Sequence, residues 1–347
     1  MSKESKRKIN VLFVCAGNTC RSPMAAEIAK NYFDNYFVCA SAGTRTVKTD
    51  VIEQRARDAL VELGFGKIEN TNVTALSQEM VDRADVIFYL GDNILEDISS
   101  KFPGNDSKCF RYADTPVFMD PFDIAGFTEE DIQELFRRIP SDTDPEFRSP
   151  LALERHPETY KLVAERIRDD FTPNLQNRKN PYGNTPLMMA IEKGDFYMAS
   201  KFLEISNTNL TIINRNGLTA LDLALDQKNE KLAGAILDKL TPVQRINALN
   251  KTLLENNQER GELLLKVMAS CAKTADKKQP TTYLGEAPGT SPSARNEELQ
   301  TVIDSVKGKE EWSKKSRDNF VKSLSEHKPS RISKLISACL NLGNSRG

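Results

Sequence analysis

Short apolar runs alternate with stretches of helical hydrophobic spacing through the first 171 residues of the chain. The continuous apolar runs predict buried strands at residues 11–14, 37–41 and 86–90. Apolar residues at helical spacing predict helices at residues 23–33, 51–63, 78–83 and 160–171. Strands that alternate with helices are typical of an α/β domain, in which helices flank a central parallel sheet. We therefore predict such a domain over residues 1–172.

The next region contains an internal repeat. The residues that recur 34 positions apart are Gly183 and Gly217, Thr185 and Thr219, Leu187 and Leu221, and Ala190 and Ala224. The period and the Gly-x-Thr-Pro-Leu-x-x-Ala pattern resemble ankyrin repeats, in which each repeat is a turn followed by two antiparallel helices. Because two repeats bury little apolar surface, we expect helices at residues 242–272 to cap them. We predict an all-α ankyrin region with its caps over residues 177–271.

The rest of the chain is more polar. Residues 272–296 are rich in Lys, Thr, Pro, Gly and Ser, which predicts a disordered linker. Apolar residues at helical spacing then predict a helical tail over residues 297–347. The predicted fold class is an α/β domain followed by an all-α, ankyrin-like and helical C-terminal region.

The composition argues against several classes of function. The 347 residues carry a net charge of -1, which gives no global preference for nucleic acid. The two histidines, His156 and His327, are far apart, which argues against a zinc site or a His-based triad. The six cysteines lack paired spacing, which suits a reducing, cytoplasmic compartment. No apolar run reaches transmembrane length, and the first run reads as a strand rather than a signal peptide.

The most informative segment joins the first strand to the first helix. Residues 15–22 read Cys-Ala-Gly-Asn-Thr-Cys-Arg-Ser. The N–H groups of such a loop and the helix dipole attract a phosphate dianion, and Arg21 can bind two of its oxygens. The same positive field favours the thiolate form of Cys15, which makes Cys15 a candidate nucleophile. The alternative is an unreactive buried cysteine in a turn, but the preceding strand and Pro23 at the helix start favour a phosphate site.

Four stretches resemble the low-molecular-weight protein tyrosine phosphatase family. They are residues 11–25, Ser41-Ala42-Gly43-Thr44, residues 84–87 and Met119-Asp120-Pro121-Phe122. The resemblance covers the N-terminal half and implies a protein phosphatase that needs no metal or cofactor. It implies catalytic roles for Cys15, Arg21 and Asp120, and an aromatic wall at Phe122. The loop residues that it implies for phosphate binding are Ala16, Gly17, Asn18, Thr19, Cys20 and Ser22.

The resemblance also implies a mechanism. Cys15 would attack phosphorus, and Asp120 would protonate the leaving oxygen and then deprotonate the water that hydrolyses a cysteinyl phosphate. Asp120 could instead only start a turn before Pro121, and Asp114 and Asp123 lie close to it in the sequence. Asn18 and Ser22 would shape the loop and hydrogen-bond the thiolate, although both residue types are also common in turns and helix caps.

The other cysteines differ in what they imply. In the family, a second loop cysteine can form a disulfide with the nucleophile, so the resemblance implies a reversible redox role for Cys20. The alternative for Cys20 is a small buried side chain. Cys39 and Cys109 are interpreted as bystanders. A thioredoxin-coupled arsenate reductase, which shares this fold, would need a close second cysteine pair, and the sequence lacks one.

The substrate is the next question. We predict phosphotyrosine first, because it is the commoner substrate of the fold. Thr19, however, stands where tyrosine-directed members tend to have a larger aliphatic residue, and threonine there resembles the bacterial protein arginine phosphatases. A protein arginine phosphatase of the same fold is therefore the alternative.

One departure from the family is large. About thirty residues, near 124–155, separate the Asp-Pro pair from the last predicted helix. Residues 128–139 begin with a possible cap, Thr128, and carry apolar residues on one face, which predicts a helix. That helix could be a lid or a docking arm, but we favour simple packing on the domain.

Two further readings lie outside this enzyme class. The chain could be an ankyrin-based binding protein with a vestigial phosphatase domain, although the presence of Cys15, Arg21 and Asp120 argues against that. A bacterial-type phosphatase joined to eukaryote-like repeats also suggests an effector secreted into host cytosol. The partners that we predict are a phosphoprotein substrate and a protein bound by the repeats, with no nucleic acid and no membrane span.

Overall fold

The structure is a computed structural model that describes most of the chain up to residue 267. The described residues are 7–45, 50–69, 71–91, 93–112, 129–138, 156–241, 244–245, 247–248, 251–252, 255, 257, 259–264 and 266–267. The chain divides into two compact units, Met1–Asn209 and Leu210–Gly347. The linker and tail predicted at 272–347 lie outside the described residues. None of the described helices has the length and apolarity that crossing a membrane requires.

A four-stranded parallel sheet forms the centre of the first unit. Its strands are β1 (Ile9–Cys15), β2 (Phe37–Gly43), β3 (Val86–Tyr89) and β4 (Cys109–Arg111), in the order β2-β1-β3-β4. The three predicted strands are confirmed, whereas β4, with three residues, has no pattern long enough to predict it. Because β2 and β3 lie on opposite sides of β1, a crevice is expected at the carboxyl end of β1, where Cys15 lies.

Helices accompany this sheet. They are α1 (Arg21–Phe33), α2 (Gln54–Glu62), α3 (Gln78–Arg83), α4 (Ile94–Lys101), α5 (Glu129–Arg138) and α6 (Pro157–Arg166), with a 3-10 turn at Asp106–Lys108. A π-helical turn, Ile167–Phe171, and a 3-10 turn, Thr172–Asn177, follow α6. The predicted helices are confirmed with shifted ends. Helix α2, for example, begins three residues late because Val51 forms an antiparallel bridge with Asn72.

Buried side chains cover both faces of the sheet. Successive residues of β1 point to opposite faces. Phe13 stacks on Phe88 with 5.7 Å between ring centroids, and Tyr112 lies edge-on to Phe13 at 5.9 Å. Leu12 and Val14 belong to a separate buried cluster with residues of the α3 and α4 regions, namely Val81, Ala84, Ile94 and Ile98. A parallel sheet with both faces covered is what an α/β domain requires.

Helix α5 is the part of the predicted insertion that the structure describes. Leu135 is fully buried, and α5 packs against α6. Arg138 Nη1 donates to Glu165 Oε2 of α6 at 2.6 Å, and Arg138 Nε donates to Glu134 within α5 at 3.0 Å. The helix predicted at 128–139 is therefore confirmed, and these contacts are those of a helix that packs on the domain.

The first 34-residue repeat lies in the same compact unit as the sheet. It forms α7 (Pro186–Glu192) and α8 (Phe196–Glu204). The Phe202 ring of α8 is fully buried and lies 6.0 Å from the ring of Phe37, between centroids. Phe37 is the first residue of β2.

Two hydrogen bonds tie the same repeat to the sheet. Asn180 Nδ2 donates to the Ser107 carbonyl at 2.7 Å, and the Tyr197 hydroxyl donates to the Arg7 carbonyl at 2.7 Å. Ser107 and Arg7 each precede a strand, β4 and β1, by two residues. The repeat thus contacts the amino ends of the strands, whereas Cys15 lies at a carboxyl end.

The second unit repeats this local structure. Its first two described helices are α9 (Ala220–Asp226) and α10 (Glu230–Lys239), each beginning 34 residues after its counterpart. The turn before each helix pair is held by an asparagine: Asn180 Oδ1 accepts from the N–H groups of residues 182 and 184, and Asn214 Oδ1 from those of 216 and 218. Thr185 and Thr219 cap α7 and α9. The sequence repeat is also a structural repeat, and its assignment to ankyrin stays a prediction.

An arginine–carboxylate pair lies near the C-terminal end of the described part of the second unit. Arg260 is buried and donates to both carboxylate oxygens of Asp226, at 2.9 and 2.8 Å. Such a two-point contact is the strong form of an arginine–carboxylate pair. Arg260, which lies within the residues predicted to form capping helices, therefore contacts the second repeat. The domain boundaries given above remain predictions.

Candidate active site

The candidate site is the loop between β1 and α1. Cys15 is the last residue of β1, and Arg21 is the first residue of α1. The first turn of α1 contains no acidic residue, and its N-cap residue, Cys20, makes no side-chain cap hydrogen bond. The amino end of this helix therefore keeps its partial positive charge next to the loop, which favours an anion there.

The sulfur of Cys15 receives hydrogen bonds from the loop. The Asn18 backbone N–H donates to Cys15 Sγ at 3.2 Å, and Ser22 Oγ lies 3.0 Å from the same sulfur. Asn18 Nδ2 donates to Ser22 Oγ at 3.0 Å, and the Ser22 hydroxyl can donate its one proton either to the sulfur or to the Ala42 carbonyl, at 3.4 Å. The Cys15 sulfur therefore has two polar neighbours, the Asn18 N–H and the Ser22 hydroxyl. Cys15 is 2% exposed.

Asn18 fixes the shape of the loop. Its φ is 56°, a left-handed conformation that asparagine tolerates better than most residues. Its side chain makes two further hydrogen bonds: Nδ2 also donates to Ser41 Oγ at 2.9 Å, and Oδ1 accepts from the Thr74 N–H at 2.8 Å. Asn18 thus links the loop to β2 and to the segment that follows α2.

Gly43 lets the end of β2 approach the loop. A Cβ at this position would stand 2.8 Å from the Ala16 carbonyl oxygen and 2.9 Å from the Asn18 nitrogen. Both are backbone atoms, which cannot rotate away as a flexible side chain can. The Thr44 N–H donates to the Cys15 carbonyl at 3.0 Å, so β2 and the loop are bonded at this point of closest approach.

Arg21 is held beside the loop by the end of β3. Its side chain is buried, at 5% exposure, and Nη1 donates to the Leu90 carbonyl at 3.3 Å. The segment from Cys15 to Arg21 therefore combines a cysteine sulfur, the Asn18 N–H directed at that sulfur and a guanidinium, a set that suits attack on a phosphoryl group. Of the predicted site residues, the structure brings together the loop from Cys15 to Ser22. Asp120 and Phe122 lie outside the described residues, as do Asp114 and Asp123.

The other described cysteines are Cys20, Cys39 and Cys109. Cys20 is buried and reduced, and its Sγ donates to Met24 Sδ at 3.6 Å. Burial raises the pKa of the Cys39 thiol to about 12 and that of Cys109 to about 12. Both thiols are therefore poor nucleophiles at neutral pH.

Sequence reasoning did not identify three contributors to the site. They are the Ser41 hydroxyl, the Thr74 N–H and the Leu90 carbonyl. Ser41 lies in the Ser-Ala-Gly-Thr stretch, which offered a signal. Thr74 and Leu90 act through backbone atoms, which every residue type carries, so the identities of these residues do not indicate that role.

The family model described as low molecular weight phosphotyrosine protein phosphatase matches residues 10–124. An arsenate reductase from Halalkalibacterium halodurans is 30% identical over 129 residues, which are 37% of this chain and 85% of that protein. A protein-arginine-phosphatase from Bacillus subtilis is 27% identical over 143 residues, which are 38% of this chain and 94% of that protein.

A probable low molecular weight protein-tyrosine-phosphatase from Ralstonia nicotianae is 30% identical over 115 residues, which are 33% of this chain and 75% of that protein. The residues that the family model matches contain the four strands of the sheet, apart from Ile9, and the loop. The chain belongs to the low molecular weight phosphotyrosine protein phosphatase family.

Proposed function

We propose that this protein hydrolyses phosphotyrosine in phosphoproteins through a cysteinyl-phosphate intermediate. The observation that carries the proposal is the Cys15 sulfur, which receives the Asn18 N–H at 3.2 Å and has the Ser22 hydroxyl at 3.0 Å. Membership of the family and the tyrosine-directed relatives support the same activity.

In the first step the Cys15 thiolate attacks phosphorus. An S–P bond forms, the P–O ester bond breaks, and the phenolic oxygen leaves with a proton from the Asp120 carboxyl group. Arg21 binds two non-bridging phosphoryl oxygens, and the loop N–H groups bind the charge that develops on the phosphoryl group. The Ser22 hydroxyl stabilises the thiolate before attack and again when sulfur becomes the leaving group.

In the second step a water molecule attacks phosphorus. Asp120, now a carboxylate, takes a proton from the water, the S–P bond breaks, and inorganic phosphate leaves. The Cys15 thiolate is regenerated, so no oxidant, reductant or metal enters the balance. The role of Asp120 comes from the Asp-Pro sequence motif and is part of the proposal.

The test uses two cysteine variants on a chromogenic aryl phosphate. We expect Cys15→Ser to abolish turnover and Cys39→Ser, at a half-buried site away from the loop, to retain it. Acid quenching of the wild-type protein during turnover should trap phosphate on Cys15. Equal rates for wild type and Cys15→Ser would contradict the proposal.

Phosphoarginine is the second candidate substrate. Thr19 is half-buried in the loop. A relative that matches this chain over 94% of the relative's length is named a protein-arginine-phosphatase. Peptides that carry phosphotyrosine or phosphoarginine, at equal concentration, distinguish the two. A preference for phosphoarginine that Thr19→Ile reverses would replace the first candidate by the second.

Arsenate reduction is less well supported, although one relative bears that name. A reductase must pass electrons from the nucleophilic cysteine to further thiols. Outside the loop, the next cysteines along the chain are Cys39 and Cys109, seventy positions apart, and both thiols have strongly raised pKa values. The same preparation should therefore show no arsenate-dependent consumption of a dithiol.

We further propose that the repeats recruit a protein partner or substrate, and that the chain acts as an effector in host cytosol. The test should delete residues 210–347 rather than the whole repeat region, because the first repeat packs on the catalytic sheet. Loss of a partner with full activity on an aryl phosphate would support recruitment, and unchanged partners would contradict it. Localising the tagged chain during infection tests the effector proposal.

A further inference from the structure

The end of β3 contacts the arginine of the phosphate loop through its backbone. The Leu90 N–H donates to the Val14 carbonyl at 2.8 Å, which continues the pairing of β3 with β1 by one residue. The Leu90 carbonyl in turn accepts from Arg21 Nη1 at 3.3 Å. The position of the guanidinium is therefore coupled to a backbone segment that the sheet itself holds.

Gly91, the next residue, turns the chain away at this point. Its φ is 124°, which residues with a side chain rarely adopt. A Cβ at position 91 would stand 3.4 Å from Arg21 Nη1 and 3.2 Å from Ile94 Cγ1. The space that Gly91 leaves empty thus lies next to both the guanidinium and Ile94.

Ile94 cannot easily yield to an added methyl group. It is buried at 3% exposure and belongs to the apolar cluster that contains Val14 and Ile98. Close packing there resists displacement. At 3.4 Å the contact with Arg21 Nη1 would itself be an ordinary one, but the 3.2 Å contact with Ile94 requires an adjustment of a few tenths of an ångström. Because the long Arg21 side chain can rotate and the packed core cannot, we expect that adjustment to displace the guanidinium.

We propose that Gly91 is a positioning residue for Arg21: its missing side chain and positive φ let the Leu90 carbonyl hold the guanidinium where it binds two phosphoryl oxygens. The proposal rests on the proposed function only in taking Arg21 as the phosphate-binding group. It assigns a functional role to a position outside the loop and outside the four stretches that carry the family resemblance.

The first test compares Gly91→Ala with Gly104→Ala. Gly104 also has a positive φ, 82° against 124° for Gly91, but a Cβ there would meet nothing within 4 Å, so it controls for a methyl group that is added at a positive φ and makes no contact. We expect Gly91→Ala to weaken the binding of inorganic phosphate, measured by calorimetry, by about tenfold to a hundredfold, with a similar loss in kcat/KM. Gly104→Ala should stay within about twofold of wild type.

The second test asks whether the effect passes through Arg21. In an Arg21→Ala background, the added Gly91→Ala change should alter phosphate binding by less than about twofold, because the group that it displaces is gone. A loss of tenfold or more in that background would overturn the proposal. So would wild-type phosphate affinity in a folded Gly91→Ala protein.

A third variant covers the case in which Gly91→Ala folds poorly. Replacing Ile94 by Ala as well removes the atom 3.2 Å from the added methyl and lets the methyl move away from Arg21. The Gly91→Ala, Ile94→Ala double variant should bind phosphate more tightly than Gly91→Ala, or within about threefold of Ile94→Ala alone. Failure on both counts would contradict the proposal. Absence of turnover in the wild type, with phosphate binding intact, would contradict the proposed function instead.

Discussion

Asn18 combines an unusual backbone conformation with a side chain that makes three hydrogen bonds, so two substitutions can separate these contributions. Asn18→Gly keeps the positive φ but loses the side-chain hydrogen bonds, each worth about 1 kcal/mol. Asn18→Ala loses the bonds and adds about 1–3 kcal/mol of backbone strain. We expect kcat to fall roughly tenfold for Asn18→Gly and roughly a hundredfold for Asn18→Ala. Steady-state kinetics on an aryl phosphate measure both, and equal rates for the two variants would argue against a role for the left-handed conformation.

Asp97 gives the same region a pH dependence. Partial burial opposes ionisation, but hydrogen bonds from Thr44 and Arg45, with the positive charges of Arg45 and Lys101, outweigh it and lower the pKa of Asp97 below its ordinary value. A carboxyl group with a lowered folded-state pKa stabilises the fold above its unfolded pKa, about 3.9, and loses that contribution as pH falls through the folded value.

The predicted change is therefore visible as a stability difference. Asp97→Asn should lower the free energy of unfolding by up to about 1 kcal/mol at pH 5 to 7. The loss is no larger because solvent screens the ion pair of Asp97 with Arg45. The difference should shrink towards zero as the pH falls from the unfolded pKa, about 3.9, through the lower folded-state pKa of Asp97. Urea unfolding at a series of pH values measures it, and a difference that grows on acidification would contradict the assignment.

The same residues show what the sequence can predict about a site. Cys15, Asn18, Arg21 and Ser22 lie in one continuous segment, so their spacing alone indicated a phosphate loop. Ser41, Thr74 and Leu90 reach that loop from elements twenty to seventy residues away. Their contributions depend on how the strands pair, and two of them use backbone atoms that every residue type carries.

At the scale of elements, strong local patterns predicted well and short elements did not. The buried runs of β1 and β3 are continuous and apolar, which gave their positions to within a residue or two. Strand β4 has three residues and depends on its pairing with β3 rather than on its own pattern. Helix α6 was predicted to continue to residue 171, but the α-helix ends at Arg166 and a π-helical turn follows.

Helix α5 offers a test of the insertion's role. Leu135 is fully buried, and α5 packs on α6. If α5 is an integral part of the domain, Leu135→Ala should lower the free energy of unfolding by about 2–4 kcal/mol while kcat at 25 °C changes little. Glu130→Ala, on the exposed side of α5, is the matched control and should change stability by less than about 0.5 kcal/mol. Unchanged stability with a tenfold change in kcat or KM would instead favour a lid or docking arm.

At the scale of the whole molecule, the domain boundary that the sequence predicts differs from the boundary between the two compact units. Periodicity separated the repeats from the phosphatase near residue 177, yet the first compact unit runs to Asn209 and includes the first repeat. A repeat pattern reports only that two segments are alike. It contains no information about which neighbour each segment packs on. The contact between Phe202 and Phe37, for example, joins two residues that are far apart in the chain.

This arrangement predicts that the first repeat stabilises the catalytic sheet. Phe202→Ala removes a fully buried ring from beside Phe37 and should cost about 3–5 kcal/mol, which lowers the temperature of half-inactivation of phosphatase activity by about 10 °C. Ile236→Ala is the matched control, because Ile236 occupies the equivalent position 34 residues later, is equally buried and lies in the second unit. We expect it to lower that temperature by no more than about 3 °C, since it leaves the contact with Phe37 unchanged. Equal shifts for the two variants, measured as residual activity after heating, would show that the first repeat supports the sheet no more than the second does.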